Sequence, residues 1–163
     1  AGGLNDGISW QEILEGLSHG HTQLRLVAAR SHTGALILDD TYNAAPESML
    51  AALNLLDELD GRKIAVLGDM LELGQYERQG HEMVGMRAAQ VAKVLITLGT
   101  RGHMIAEAAR RAGMKPSSIL EYEDIAPIVD WLMKNLNSND AVLIKGSHGL
   151  RMDRIAAALE VRS

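Results

Sequence analysis

Residues 63–98 read KIAVLGDMLELGQYERQGHEMVGMRAAQVAKVLITL, and this stretch decides the fold. KIAVL, residues 63–67, is a compact apolar run of the kind found in strands buried on both faces. Residues 68–74 break the run as a loop, residues 76–92 read as a helix, and VLITL, residues 94–98, is a second buried strand. Short apolar strands alternating with amphipathic helices indicate a mostly parallel sheet covered by helices on both faces.

The alternation extends in both directions. Upstream, a strand ending at Asp39-Asp40 meets a loop, Thr41 to Pro46. A helix over 47–59 follows, with Leu50, Leu53, Leu56 and Leu59 on a common face, and Asp60-Gly61 turns the chain. Residues 24–29 and 35–38 read as strands around a turn at Ser31-His32-Thr33-Gly34, and residues 9–17 as a short helix in which Ser9 and Glu12 have capping-box spacing. Downstream come a helix over 104–112, a weaker strand over 118–122, a helix over 125–136, the buried strand AVLI at 141–144 and a closing helix over 152–159. The fold class is therefore α/β: a Rossmann-like, open, mostly parallel sheet with helices on both faces, preceded by a short helix and a β-hairpin segment. Ligands of such sheets sit at the carboxyl ends of the strands, which singles out the loops 40–47, 68–75, 99–103 and 145–151.

Composition narrows the function classes. The chain of 163 residues is 47% apolar, enough for one domain with a sizeable core, with room for a short piece of another. It has no Phe, so the core is expected to use Leu, Ile, Val, Ala and gap-filling Met, of which there are eight. A net charge of −5 argues against nonspecific nucleic-acid binding. There is no cysteine, which excludes disulfides and thiolate sites and suits a cytoplasmic protein. No apolar run approaches the ~20 residues of a membrane span. The opening AGGLNDGISW lacks both signal-peptide character and an initiator Met, and is expected to begin a fragment of a longer protein.

Several motifs are absent. No G-x-x-x-x-G-K-[ST] loop is present to cradle phosphates, and no G-x-G-x-x-G follows the first strand. His81-Glu82 opens like a zinc-protease helix, but Gly85 occupies the position of the required second His, and no metal ligand is assigned. His19, His21, His32 and His103 have no partner pattern and are expected at the surface.

Three loops could carry chemistry. In DDTYNAAPES, residues 39–48, Asp and Asn side chains can hold a ribose hydroxyl, a metal-bound water or an ammonium, or simply cap local N–H groups. In VLGDMLELG, residues 66–74, Gly68 lets the chain turn off the strand and Asp69 follows at the mouth of the sheet, where the spacing alone favours a helix-capping Asp over a binding one. In IKGSHGLRMDRI, residues 144–155, Lys145, Ser147, His148 and Arg151 gather before a helix N-terminus, a setting that suits a carboxylate or phosphate, or else a solvated turn with Arg151 and Asp153 as surface charges. Arg25, within LRLVAA, alternates away from Leu24 and Leu26 and reads as solvent-facing.

Taken together, LILDDTYNAAPESMLAALNLLDEL, GRKIAVLGDMLELG with its following His81 and Gly85, and VLIKGSHGLRMDRIAAAL resemble the Mur ligase family from about residue 9 to residue 159. The resemblance is to the members that add D-alanyl-D-alanine to UDP-N-acetylmuramoyl-tripeptide, a step of peptidoglycan synthesis and so of cell-wall biogenesis, cell shape and division. It implies a three-domain ligase whose third domain closes over ATP and the dipeptide. Residues 1–33 would be the tail of the central ATPase domain and a linker, and residues 34–163 the C-terminal domain. It implies ATP and Mg²⁺ in the full-length enzyme, with ATP, D-alanyl-D-alanine and, through domains outside this chain, the UDP-linked tripeptide as partners.

Residue by residue, the resemblance implies nucleotide contacts at Arg25, Asp40, Tyr42 and Asn43. It implies dipeptide contacts at Asp69, Lys145, Gly146, Ser147 and Arg151, and no catalytic residue or metal ligand. The chain departs from the family pattern at Ala45, where a second Asn is usual, at Leu24, where Gly commonly precedes the Arg, and at His148, where Arg is common. A His there would make any anion contact pH-sensitive.

A phosphorylatable receiver-type signalling domain is the alternative. Asp39-Asp40 would supply its acidic pair and Lys145 its strand-ending Lys, but the third strand ends in Leu98-Gly99-Thr100 where the phosphoacceptor Asp is needed.

Overall fold

The computed structural model describes residues 26–160. In chain order these form β1 (Val27–Arg30), β2 (Leu36–Asp40), α1 (Pro46–Glu58), β3 (Arg62–Gly68), α2 (Glu77–Val91), β4 (Val94–Leu98), α3 (Gly102–Arg111), β5 (Ile119–Tyr122), α4 (Ile125–Asn135), β6 (Asp140–Lys145) and α5 (Asp153–Leu159). The sheet order is β1-β2-β6-β3-β4-β5; β1 runs antiparallel to β2 and every other pairing is parallel. The α/β class and the element order read from the sequence hold over this span. The helix expected over 9–17 and the first residues of the leading strand lie outside the described residues. The expected division between residues 33 and 34 falls in the turn between β1 and β2.

Strand alternation builds two cores. Leu36, Leu38, Ala65, Leu67, Leu95 and Leu143 face α1, α2 and α3. Ile37, Ile64, Val66, Ile96, Val142 and Ile144 face the other way, onto Ile128 and Leu132 of α4 and Ile155 and Leu159 of α5. β6 is buried along its whole length at the centre of the sheet, which is why AVLI carries no polar residue.

Two expectations need correction. The buried face of α1 is Met49, Ala52, Leu53, Leu55 and Leu56, while Leu50 is only half-buried, so the Leu-only stripe sits slightly off the true contact face. Met fills the core at Met49, Met70, Met114 and Met152, but Met83, Met86 and Met133 are exposed, because they fall on the solvent sides of α2 and α4.

Local chemistry explains the helix starts and tight joints. Pro46 opens α1 where its missing N–H costs nothing, and the Ser48 hydroxyl accepts the Ala45 N–H at 3.0 Å. Gly61 turns the chain into β3 at φ +94°, where an added Cβ would lie 2.1 Å from the Asn139 carbonyl oxygen. Asp140, at the start of β6, takes a bidentate grip from Arg62 at 2.8 Å on each oxygen.

Candidate functional site

Because β2, β6 and β3 are adjacent and parallel, the loops that leave their carboxyl ends share one rim of the sheet. That rim collects residues 40–45 after β2, 146–152 after β6 and 69–76 after β3. The three sequence motifs therefore meet, as their position in an open parallel sheet requires.

Asp40 and Lys145 are register partners across β2 and β6. The Lys145 ammonium donates to Asp40 Oδ2 at 2.7 Å and to the Asn43 carbonyl at 3.0 Å. Both side chains are 2% exposed. Burial lowers the Lys145 pKa, and the Asp40 carboxylate pulls against that shift. The pair ties the DDTYN loop to the end of the central strand.

Asp39, one residue earlier, projects to the opposite face. It accepts a 2.7 Å hydrogen bond from the Thr41 hydroxyl. It lines an open cleft of about 320 Å³ with Val27, Thr41, Tyr42, His148 and Asp153. The rings of Tyr42 and His148 lie 6.2 Å apart and tilted, so the β2 and β6 loops form two walls of this cleft. Burial raises the Asp39 pKa, the Thr41 hydroxyl opposes this, and Glu160 and Asp153 add to it.

A raised carboxylate pKa favours the folded state only while the group is protonated, below its unfolded value. That stability is lost as pH rises through the folded value. Asp39→Asn keeps the acceptor for Thr41 and removes the charge, so its Tm should exceed that of the parent at pH 7. The difference should vanish below the ordinary carboxylate range, which thermal melts at several pH values will measure.

Asp69 is 4% exposed. It accepts the Gly102 N–H at 2.8 Å, which caps the start of α3, and its other oxygen lies 3.6 Å from Arg101. Its carbonyl oxygen accepts the Ser147 N–H at 3.0 Å, and the Ser147 hydroxyl accepts the Leu71 N–H at 2.8 Å. The β3 and β6 loops are thereby stitched in both directions.

Gly146 permits that approach: an added Cβ would lie 2.2 Å from the Met152 sulfur and 3.1 Å from Gly68 Cα. Arg151 adopts a left-handed conformation at φ 54° and its guanidinium grips Asp153 through two 3.0 Å bonds at the surface. Asn43 turns its side-chain oxygen onto the Ala44 N–H at 2.8 Å, and Tyr42 is largely exposed. Arg25 lies outside the described residues.

The rim thus brings together Asp40, Tyr42, Asn43, Asp69, Lys145, Gly146 and Ser147, with Arg151 at its exposed edge. Within it, Asp40 and Lys145 satisfy each other, while Asp39 faces the cleft together with Asp153. The resemblance assigned the nucleotide contact to Asp40, whereas the member of the pair that lines the cleft is Asp39; which one does so depends on the β2–β6 register. His81, set aside as a metal ligand, is fully buried beneath the rim and accepts the Met70 N–H. The surface expectation holds for His32 and His103, while His19 and His21 lie outside the described residues.

The receiver alternative fails on geometry. Its sheet order, counted over parallel strands, is 2-1-3-4-5. Here the parallel strands β2, β3, β4, β5 and β6 stand in the order β2-β6-β3-β4-β5, with the last strand beside the first. Asp69, the nearest candidate phosphoacceptor, is committed to the start of α3.

Comparison with known proteins bears on the same rim. The family described as Mur ligase, glutamate ligase domain, matches residues 24–148. The chain is 34% identical over 98% of its length to the UDP-N-acetylmuramoyl-tripeptide–D-alanyl-D-alanine ligase of Bacillus subtilis, covering 35% of that protein. It is 32% identical over 83% of its length to the ligase of the same name from Escherichia coli, covering 29% of it. The crystal structure of the MurF ligase of Thermotoga maritima in complex with ADP superposes with a TM-score of 0.70 at 28% identity, over 86% of this chain and 31% of that one. The chain spans about a third of the length of these relatives.

Proposed function

Since the chain belongs to the Mur ligase family, we propose that it is the C-terminal domain of an ATP-dependent ligase that adds D-alanyl-D-alanine to UDP-N-acetylmuramoyl-tripeptide. Residues 1–33 are the tail of the central ATPase domain and a linker, and residues 34–163 the closing domain. The observation that carries this reading is the convergence of the three motif loops on the carboxyl rim of β2, β6 and β3.

ATP transfers its γ-phosphoryl group to the tripeptide carboxylate, leaving ADP, and the dipeptide amine attacks the acyl phosphate to give the amide, phosphate and a proton. Acyl phosphates hydrolyse, so water must be kept out before the amine arrives; a closing domain does this and brings the reactants together. On this chain the β2 loop faces the nucleotide. The Asp39 carboxylate and Thr41 can meet ribose hydroxyls, and Tyr42 and Asn43 flank them. Asp40, held by Lys145, fixes the loop from below.

The β6 loop, with Ser147 and Arg151 beside the Asp69 turn, faces the dipeptide. Its hydroxyl and N–H groups suit the terminal carboxylate and leave the amine pointing into the cleft. The family resemblance assigns Arg25 to the ATP phosphates.

Among the described residues no group of three or more carboxylates and imidazoles is placed to hold a metal ion. The ATP is taken up as its Mg²⁺ complex. Among the described residues no helix is long and apolar enough to cross a membrane. The protein works in the cytoplasm, where ATP and the UDP-linked precursor are available.

The test is ADP release by the full-length protein. Release should require both D-alanyl-D-alanine and the UDP-linked tripeptide, and residues 1–163 alone should give none. Ser147→Ala in the full-length protein should raise KM for the dipeptide about 10- to 100-fold, the worth of a hydrogen bond to a charged group, with KM for ATP little changed. Turnover by residues 1–163 alone, or release indifferent to the dipeptide, contradicts the proposal.

A further inference from the structure

The turn that receives Ser147 is held from below by one side chain that takes no part in the rim. His81 lies on α2 and is fully buried. Its Nε2 accepts the Met70 N–H at 3.0 Å, and its Nδ1 lies 2.6 Å from the Glu77 carbonyl, to which it donates. One tautomer, with the proton on Nδ1, satisfies both bonds.

Met70 is the residue between the two that Ser147 engages: Asp69, whose carbonyl accepts the Ser147 N–H, and Leu71, whose N–H reaches the Ser147 hydroxyl. The Glu77 carboxylate pairs with Arg101, which also reaches Asp69. His81, the turn, Arg101 and Glu77 therefore close a ring beneath the β3 and β6 loops.

We propose that His81 is a positioning residue for amide ligation: by fixing the Met70 amide it sets the 69–71 turn against which Ser147 is aligned. Neither the zinc-protease comparison nor the family resemblance gives it this task. The role in ligation rests on the reading of the β6 loop as dipeptide-facing; the positioning of the turn does not. An apolar replacement fills the space but offers Met70 no acceptor, so the turn loses its fixed register while the helix keeps its packing. Gln can still accept through its carbonyl oxygen and donate through its amide.

Two measurements on His81→Leu and His81→Gln in the full-length protein test the proposal. The first is amide hydrogen exchange. In His81→Leu, exchange at Met70, Leu71 and Ser147 should accelerate together by about tenfold, the scale of one lost hydrogen bond, while Ile64 and Val66 in β3 stay protected. Gln should restore most of the protection. The second is steady-state kinetics: His81→Leu should raise KM for the dipeptide about tenfold with KM for ATP unchanged.

Acceleration confined to Met70, or spread evenly over β3, overturns the proposal, since the turn is then not the element His81 holds. Joint acceleration at the three amides with an unchanged dipeptide KM keeps the positioning of the turn. It removes the role in ligation, and the fault then lies in assigning the dipeptide to this loop.

Discussion

Lys145→Met should destabilise the domain by about 3–5 kcal/mol, because it strands the Asp40 carboxylate in a site where both partners are 2% exposed. The change also removes the donor to the Asn43 carbonyl. Against a typical stability of about 5–15 kcal/mol, a loss of that size is a large fraction of the whole. Asp40→Asn combined with Lys145→Met removes the buried charge as well as the lost partner and should recover most of the deficit. Urea unfolding of the single and double variants measures both quantities. A single variant as stable as the parent would mean that the pair is not buried as the geometry has it.

Gly85→Ala should cost about 1–3 kcal/mol, the usual range for overpacking, even though Ala is the better helix former. An added Cβ would lie 2.3 Å from the Ile105 carbonyl oxygen and 2.8 Å from Ala108 Cβ, so α2 and α3 must move apart. Backbone cannot yield as a side-chain tip can. Because α2 also carries His81, the same variant should loosen the 69–71 turn. Thermal unfolding with exchange at the Met70 amide measures both effects, and a gain in Tm from improved helix propensity would contradict the close packing.

The element order was legible because apolar runs such as KIAVL, VLITL and AVLI leave a buried parallel strand little freedom of composition. The rim was legible for a related reason, since topology puts every strand-to-helix loop at one end. What the sequence could not show is anything that depends on register. Asp39 and Asp40 are chemically identical, and only the pairing of Asp40 with Lys145 turns one inward and leaves the other at the cleft.

Register also hides the stitch between Ser147 and the Asp69–Leu71 turn, in which the Ser147 hydroxyl meets the Leu71 N–H 76 residues away and the Ser147 N–H meets the Asp69 carbonyl. Lys145 in KGS reads as an anion ligand because strand-ending Lys beside Gly and Ser is what such a loop uses. In the structure it is buried and its ammonium donates to Asp40. Leu50 misled for a smaller reason: the contact face of α1 includes Met49 and Ala52, so the Leu-only stripe lies to one side of it and leaves Leu50 half-buried.

Amide hydrogen exchange on the full-length protein, with and without ATP, the UDP-linked tripeptide and D-alanyl-D-alanine, tests the assignment of the carboxyl rim most directly. Protection should rise at residues 39–43, 69–71 and 146–151 when all three are present. Protection confined to the opposite end of the sheet, around residues 61–63 and 90–93 where another open cleft lies, would contradict it.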